Sequence, residues 1–383
     1  MTTEVRGRIV CPDKIIDDGV VCVVDDRIAE VLSFDEWRAA HTERPVPESS
    51  GLILPGLVDI HCHGGGGHAF TTTDVAEARG AAAHHHAHGT TTMLASLVTA
   101  PAAVLVDQVA ALTGLVSDGT LGGIHAEGPF LSGARCGAQD PRYLIPPDIG
   151  LTRKLIEASG GSLRMMTVAP ELDGSKDVVA ALTEAGVTVA VGHSDASYSD
   201  FRAALADPSG ASVVTHLANG MPPVHHRDAG PVAAALVASA AGEAFVELIA
   251  DGVHIDSGFA ALVFATAPER VALITDAMAA AGMPDGTYQL GPQQVSVVDG
   301  VARTSGGAIA GGTSVLIDIV RRCVVESKVS LVQAVRAASL TPAAAVGLDS
   351  VCGALRPGLF ADVIVADDEL RVRRVLRRGQ WIC

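Results

Sequence analysis

The stretch GLVDIHCH, residues 56–63, decides the fold. It is a short apolar run bounded by glycines, the pattern of a strand buried on both faces. Side chains on a strand alternate faces, so His61 and His63 share one face and Cys62 takes the other. Two neutral imidazoles on one face make half of a site for Zn²⁺ or Fe²⁺. Alone the pair is weak evidence, because most such histidines are ordinary polar or core residues.

Seven similar runs follow: TTTMLASLVT (90–99), LGGIHAEG (121–128), LRMMTVAPE (163–171), VTVAVGH (187–193), SVVTH (212–216), FVELIAD (245–251) and RVALITDA (270–277). Helix-like stretches lie between them, among them 73–88, 101–116, 176–186 and 197–206. Eight alternations of buried strand and helix predict an α/β chain with a (β/α)8 TIM-like barrel over residues 55–352. Before it, RGRIV and GVVCVVDDRIAEVL read as strands, with DDG and DDR as turns. After it, GALRPGLFADVIVADDELRVRRVLRRGQWIC reads again as strands and turns. The two chain ends, 1–54 and 353–383, are expected to meet in one small β-sandwich domain.

Composition agrees with a large core. Apolar residues make up 48% of the 383 and aromatics only 3%, so Ala, Val, Leu and Ile must fill the interior. The net charge of −16 leaves no basic footprint for nucleic acid. The seven cysteines (Cys11, Cys22, Cys62, Cys136, Cys323, Cys352 and Cys383) are scattered and form no CxxC pair, which argues for a reducing compartment. No signal-peptide pattern and no apolar run of about 20 residues is present, so the expectation is a soluble cytoplasmic protein without a membrane partner.

In such barrels the active site lies at the C-terminal ends of the strands. Glu127, His193, His216, His254 and Asp276 fall there, with His61 and His63. Singly, each has a bland reading as a cap, an ion pair or a satisfied core histidine. Jointly they do not, because buried polar groups cost free energy unless paired. Asp276 suits proton transfer from a metal-activated water. Arg227 lies beyond the sixth run and suits a phosphate or carboxylate; a surface ion pair is the alternative. Asn219 and Gly220, just after His216, offer amides. His84, His85, His86 and His88 lie on a helix away from that face and read as structural, as does His125 one layer below Glu127. Gly64–Gly67 lacks the Lys and Ser/Thr of a P-loop. Cys136 lies in the loop after Glu127, where a redox-sensitive lid thiol is the functional alternative to a plain loop residue.

The motifs PGLVDIHCHG, HAEGPF, VGHSDA, THLANGM, IADGVHID, ITDAM and IAGGTSVL, in that order, resemble the N-acetylglucosamine-6-phosphate deacetylase family of amidohydrolases. The resemblance spans nearly the whole chain. It implies hydrolysis of N-acetylglucosamine 6-phosphate to glucosamine 6-phosphate and acetate by a homodimer. It implies one or two divalent transition metals per subunit: zinc foremost, with iron, cobalt or manganese as alternatives. Glu127, His193 and His216 match the family's shared ligands. His61 and His63 match members that hold a second metal, and Asp276 matches the catalytic carboxylate. Asn219, Gly220, Arg227 and His254 match substrate contacts, with Arg227 on the phosphate. Ile309, Ala310 and Gly311 match a backbone stretch near the sugar. Ala138 and Gln139 belong to the loop after Glu127, where many members carry a histidine in place of Gln139. A glutamine donates a hydrogen bond but cannot be cationic.

Two rivals stand beside this reading. Dihydropyrimidinase- or dihydroorotase-like amidohydrolases bridge two metals with a modified lysine, but Lys14, Lys154, Lys176 and Lys328 all miss the strand ends. The other rival is a non-catalytic barrel that only binds.

Overall fold

The computed structural model describes residues 2–207 and 209–382; Cys383 lies outside them. The chain opens with strands β1 (Thr2–Val10), β2 (Ile15–Val24) and β3 (Arg27–Ser33), helix α1 (Phe34–Ala40) and strand β4 (Ser49–Pro55). Asp17-Asp18-Gly19 was expected to turn the chain but runs inside β2. Arg6 on the neighbouring strand grips both oxygens of Asp18, at 2.9 and 2.7 Å, and holds that segment extended. The turn falls instead at Cys11–Lys14, where the Cys11 amide donates to the Lys14 carbonyl.

The barrel begins at β5 (Leu57–Cys62), followed by the small hairpin of β6 (Gly64–Gly65) and β7 (His68–Ala69). Then come α2 (Val75–Ala87), β8 (Thr90–Leu97), α3 (Ala102–Ser117), β9 (Gly123–Glu127), α4 (Ile149–Ser159), β10 (Leu163–Val168) and α5 (Ser175–Glu184). The alternation continues through β11 (Thr188–Val191), α6 (Tyr198–Ala206), β12 (Val213–Val214), α7 (Gly230–Ala240), β13 (Phe245–Leu248), α8 (Ser257–Thr266) and β14 (Val271–Leu273). Each of the eight expected runs contains one of these strands.

The barrel strands pair in parallel, in the order β5-β8-β9-β10-β11-β12-β13-β14. Two backbone hydrogen bonds span the seam from last to first: Asp276 N–H to His61 O at 2.9 Å, and His63 N–H to Ala277 O at 2.7 Å. That closure brings Asp276 beside His61 and His63, more than 200 positions away in the chain. Below them the interior is plugged by Val58, Ile60, Leu94, Met165, Val213 and Ile274. Cys62 packs with the outer helical core, as strand alternation requires.

After β14 comes a three-stranded antiparallel sheet, β15 (Gly286–Leu290), β16 (Gln293–Val298) and β17 (Val301–Thr304), for which the eight-run pattern has no place. Helices α9 (Leu316–Val325), α10 (Leu331–Ala337) and α11 (Leu340–Ala345) lead to β18 (Val363–Ala366), β19 (Val372–Arg377) and β20 (Gln380–Trp381). These last strands join the first four in one seven-stranded sheet, ordered β20-β19-β18-β4-β1-β2-β3. The two chain ends therefore meet through β4, which pairs parallel with β1 and antiparallel with β18.

Candidate metal centre and active site

Glu127, at the end of β9, is the hub. Its Oε1 lies 2.9 Å from His216 Nε2, 3.1 Å from His193 Nε2 and 3.5 Å from His61 Nε2; its Oε2 lies 3.3 Å from His63 Nε2. The two histidine pairs also face each other nitrogen to nitrogen, at 3.2 Å for His61–His63 and 3.1 Å for His193–His216. Asp276 Oδ1 is 3.1 Å from His63 Nε2 and 3.5 Å from His61 Nε2.

Which ring nitrogens carry protons follows from their far sides. His63 Nδ1 meets the Ser96 carbonyl at 3.0 Å and His193 Nδ1 meets the Arg135 carbonyl at 2.8 Å. A carbonyl only accepts, so both Nδ1 atoms donate, and both Nε2 atoms are the ones that would present lone pairs to a metal. His61 Nδ1 donates likewise to Glu247 Oε2 at 2.9 Å. Bare nitrogens and two carboxylates converging in a buried space repel one another unless a cation sits among them. The donor set therefore fits a divalent metal, with Glu127–His193–His216 and His61–His63–Glu127 as two overlapping groups.

Burial opposes charge on Glu127 and on Asp276; in the absence of a metal cation, protonated rings among the histidines outweigh it and hold both carboxyls below the ordinary range. His193, His216 and Asp276 all adopt the left-handed region, with φ of 46°, 26° and 47°. Such conformations cost about 1–3 kcal/mol each in non-glycine residues. Here they turn three side chains inward at the strand ends.

Around the centre lies a cavity of about 220 Å³. His63, Glu127, His193, His216 and Asp276 line it, and so do Ala138, Gln139, Asn219, Gly220, His254, Ile309 and Gly311. No lysine does. Gly220 cannot be replaced without strain: its φ is 60°, and an added Cβ would lie 2.8 Å from His193 Nδ1. The His254 ring is fixed by Asp251, whose Oδ2 accepts from Nδ1 at 2.8 Å. Burial alone would lower the His254 pKa, but Asp251 raises it above the usual value. Gln139 is held at both ends: its Oε1 accepts from Thr99 N–H at 2.8 Å and its Nε2 donates to Glu127 Oε2 at 2.6 Å.

Three of the residues taken from the resemblance lie off the cavity wall: His61, fully buried within the histidine cluster, Arg227 and Ala310. Arg227 is exposed on the loop beyond Gly220, its guanidinium 2.8 Å from His226 Nε2. Ala310 is fully buried beside Met278 and Leu290, under the three-stranded sheet. His125 sits beneath the centre, packed edge-on against His61 and bonded to Ser96 Oγ and Thr167 Oγ1, at 2.9 Å each. His85 supports the Gly64 carbonyl at 2.9 Å from α2, outside the cavity. Cys136 is half-buried, and its carbonyl accepts from the Gln139 amide at 2.9 Å.

Besides Asp251, two buried carboxylates beside the histidine cluster were not singled out from the sequence. Glu247, on β13, accepts from His61 Nδ1 and from the His216 backbone N–H at 3.1 Å, so one side chain orients a member of each pair. Asp59 accepts from the His61 and Thr275 amides, pinning the two strands at the barrel seam; burial pushes its carboxyl up to about 7. Position i−2 from His61 was the available signal for Asp59. Glu247→Gln removes the acceptor charge that aligns His61. It is expected to weaken metal binding at the His61–His63 pair about 10–100-fold, the usual effect of losing such a partner, as measured by competitive titration against a chromophoric chelator.

The amidohydrolase family model matches residues 52–382. The chain is 34% identical to an N-acetylgalactosamine-6-phosphate deacetylase from Escherichia coli O157:H7, over 99% of each chain. It is 33% identical to an N-acetylglucosamine-6-phosphate deacetylase from Vibrio furnissii, over 98% of this chain and 94% of that one. A solved N-acetyl-D-glucosamine-6-phosphate deacetylase from Mycobacterium smegmatis superposes with a TM-score of 0.91 at 39% identity, covering 100% of both chains. Family match, full-length relatives and site geometry agree: the chain belongs to the amidohydrolase family, in its N-acetylglucosamine-6-phosphate deacetylase group.

Proposed function

We propose that this protein hydrolyses the acetamide of N-acetylglucosamine 6-phosphate, giving glucosamine 6-phosphate and acetate. The observation that carries the proposal is the convergence of Glu127, His193 and His216 with Asp276 in one buried cavity. A divalent metal held there lowers the pKa of a water toward 7 and polarises a carbonyl. Zinc suits the nitrogen and carboxylate donors best, with iron, cobalt and manganese as the other candidates. Glu127, His193 and His216 would hold the first ion, and His61 and His63 with Glu127 would hold a second.

Asp276 performs the proton transfers. Held ionised, it accepts the proton of the attacking water at Oδ1 and then passes it to the departing amine nitrogen. Asn219, Gly220 and His254 orient the sugar, as do the backbone groups around Ile309 and Gly311. Ala138 and Gln139 wall the acetyl end. Because Gln139 is already engaged by Thr99 and Glu127, its part is to position Glu127. Arg227, on its exposed loop, serves the phosphate, and a homodimer in which a neighbouring subunit closes that end of the site accounts for its distance from the cavity wall. No helix among the described residues is long and apolar enough to cross a membrane. A cytoplasmic enzyme acting on a phosphorylated sugar fits that.

The test is acetate release from the phosphorylated and unphosphorylated sugars side by side. Strong preference for the 6-phosphate is expected, and equal kcat/KM on both would refute the phosphate assignment. Arg227→Ala should raise KM about 10–100-fold, the loss of one charge-assisted contact, with kcat little changed. The C4 epimer deserves the same assay, because a relative 34% identical over 99% of the chain carries the galacto name.

A further inference from the structure

A second group of metal-type side chains lies in the sheet made by the chain ends, remote from the barrel mouth. Glu4 on β1 pairs directly with Cys22 on β2, and Cys22 pairs directly with Glu30 on β3. Directly opposed residues of antiparallel strands project on the same face. The sheet therefore presents carboxylate, thiol and carboxylate in one rung. His41, just past the end of α1, comes down on this rung: donor atoms of Glu4, Cys22 and His41 lie within 4.8 Å of one another, and His41 Nε2 is 3.3 Å from Glu30 Oε2.

Ordinary pairing leaves part of this group unexplained. Arg44 and the Trp37 indole donate to Glu4 Oε1, at 2.6 and 3.3 Å. The Trp37 indole also reaches Cys22, but neither group bonds His41 Nε2. The latter is buried and makes no hydrogen bond, although a carboxylate is beside it. An imidazole nitrogen in that position is either a misdirected donor or a lone pair aimed at a missing cation.

We propose that Glu4, Cys22, Glu30 and His41 form a structural zinc site that clamps α1 to the edge of the sheet. One sulfur, one nitrogen and two oxygens supply the four donors of a closed site, with no position left for a substrate. Binding releases the Cys22 thiol proton to solvent. The thiolate, the two carboxylates, the dication and the neighbouring Arg44 guanidinium then sum to neutrality. Without metal, burial and the two glutamates push the thiol up to about 11 and keep it protonated.

Cobalt substitution tests this without disturbing the fold. None of the five histidine and carboxylate ligands assigned to the barrel centre is a thiol, so thiolate-to-cobalt charge-transfer absorption in the near ultraviolet reports the second site. The full chain is used in a Cys136→Ser, Cys383→Ser background, which removes the half-buried and terminal thiols. The band should grow to one equivalent of cobalt per chain. Cys22→Ser should abolish it and lower the zinc content of zinc-equilibrated protein by one per chain, with deacetylase kcat unchanged. His41→Ala should lose the same equivalent. No thiolate band at saturating cobalt, or equal zinc content in the parent and Cys22→Ser chains, overturns the proposal.

Discussion

Asp276→Asn is expected to lower kcat by about 100- to 10,000-fold, the range that a positioned acid–base group contributes, while leaving KM within a few-fold. Asparagine is the informative replacement. Asp276 sits at φ 47°, where asparagine is tolerated and alanine is strained. Its amide closes the barrel seam through His61 O at 2.9 Å, and its carbonyl accepts from Gly312 N–H at 2.7 Å. The Asn variant keeps that backbone and loses only the ability to take a proton. Metal content should match that of a parent chain holding the Glu127–His193–His216 ion, because that group is untouched. Steady-state kinetics with elemental analysis on the same sample separates the two effects. A variant that keeps metal and keeps kcat would remove Asp276 from the chemistry.

Glu127→Gln should have the other large effect, on metal rather than on proton transfer. Glu127 is the carboxylate that contacts all four histidines. The substitution preserves shape but removes the charge that offsets a dication, leaving Asp276 as the remaining anion lining the cavity. An outer partner such as Glu247 is worth about 10–100-fold in affinity, and the central ligand should exceed that. The expected sample loses its barrel-centre metal on dialysis, keeps only the equivalent assigned to the Cys22 site, and is correspondingly inactive. Excess zinc should restore only part of the activity. Retention of barrel-centre metal, read in a Cys22→Ser background, would mean that the imidazoles alone define the site.

Much of this was legible in the sequence for a physical reason. A parallel strand covered on both faces admits few polar residues, so a histidine or carboxylate at its end stands out. VTVAVGH shows it: β11 ends at Val191 and His193 turns into the cavity two residues later. The same logic places His61, His63, Glu127, His216 and Asp276 around one point. Glu247 was less legible because it lies within FVELIAD, where a charged residue reads as an interruption of the strand. Its role exists only through contacts with His61 and with the His216 amide, supplied by two other strands. The β15–β17 sheet was hidden for a different reason. Its strands are short, and exposed residues alternate with Val295 and Val297 in β16, so no continuous apolar run marks it. It nevertheless contributes Leu290 to the cavity wall. Asp17-Asp18-Gly19 shows how local turn chemistry yields to a cross-strand partner, here Arg6.

The central claim is that the barrel-mouth centre cleaves an acetamide by metal-dependent hydrolysis. The most direct measurement is acetate and free amine released from N-acetylglucosamine 6-phosphate, by the same protein as purified, after chelation, and after reloading with zinc. The account predicts equimolar acetate and glucosamine 6-phosphate from the loaded protein, loss on chelation, and recovery on reloading. A protein that carries its metal, binds the sugar phosphate and releases no acetate would contradict it.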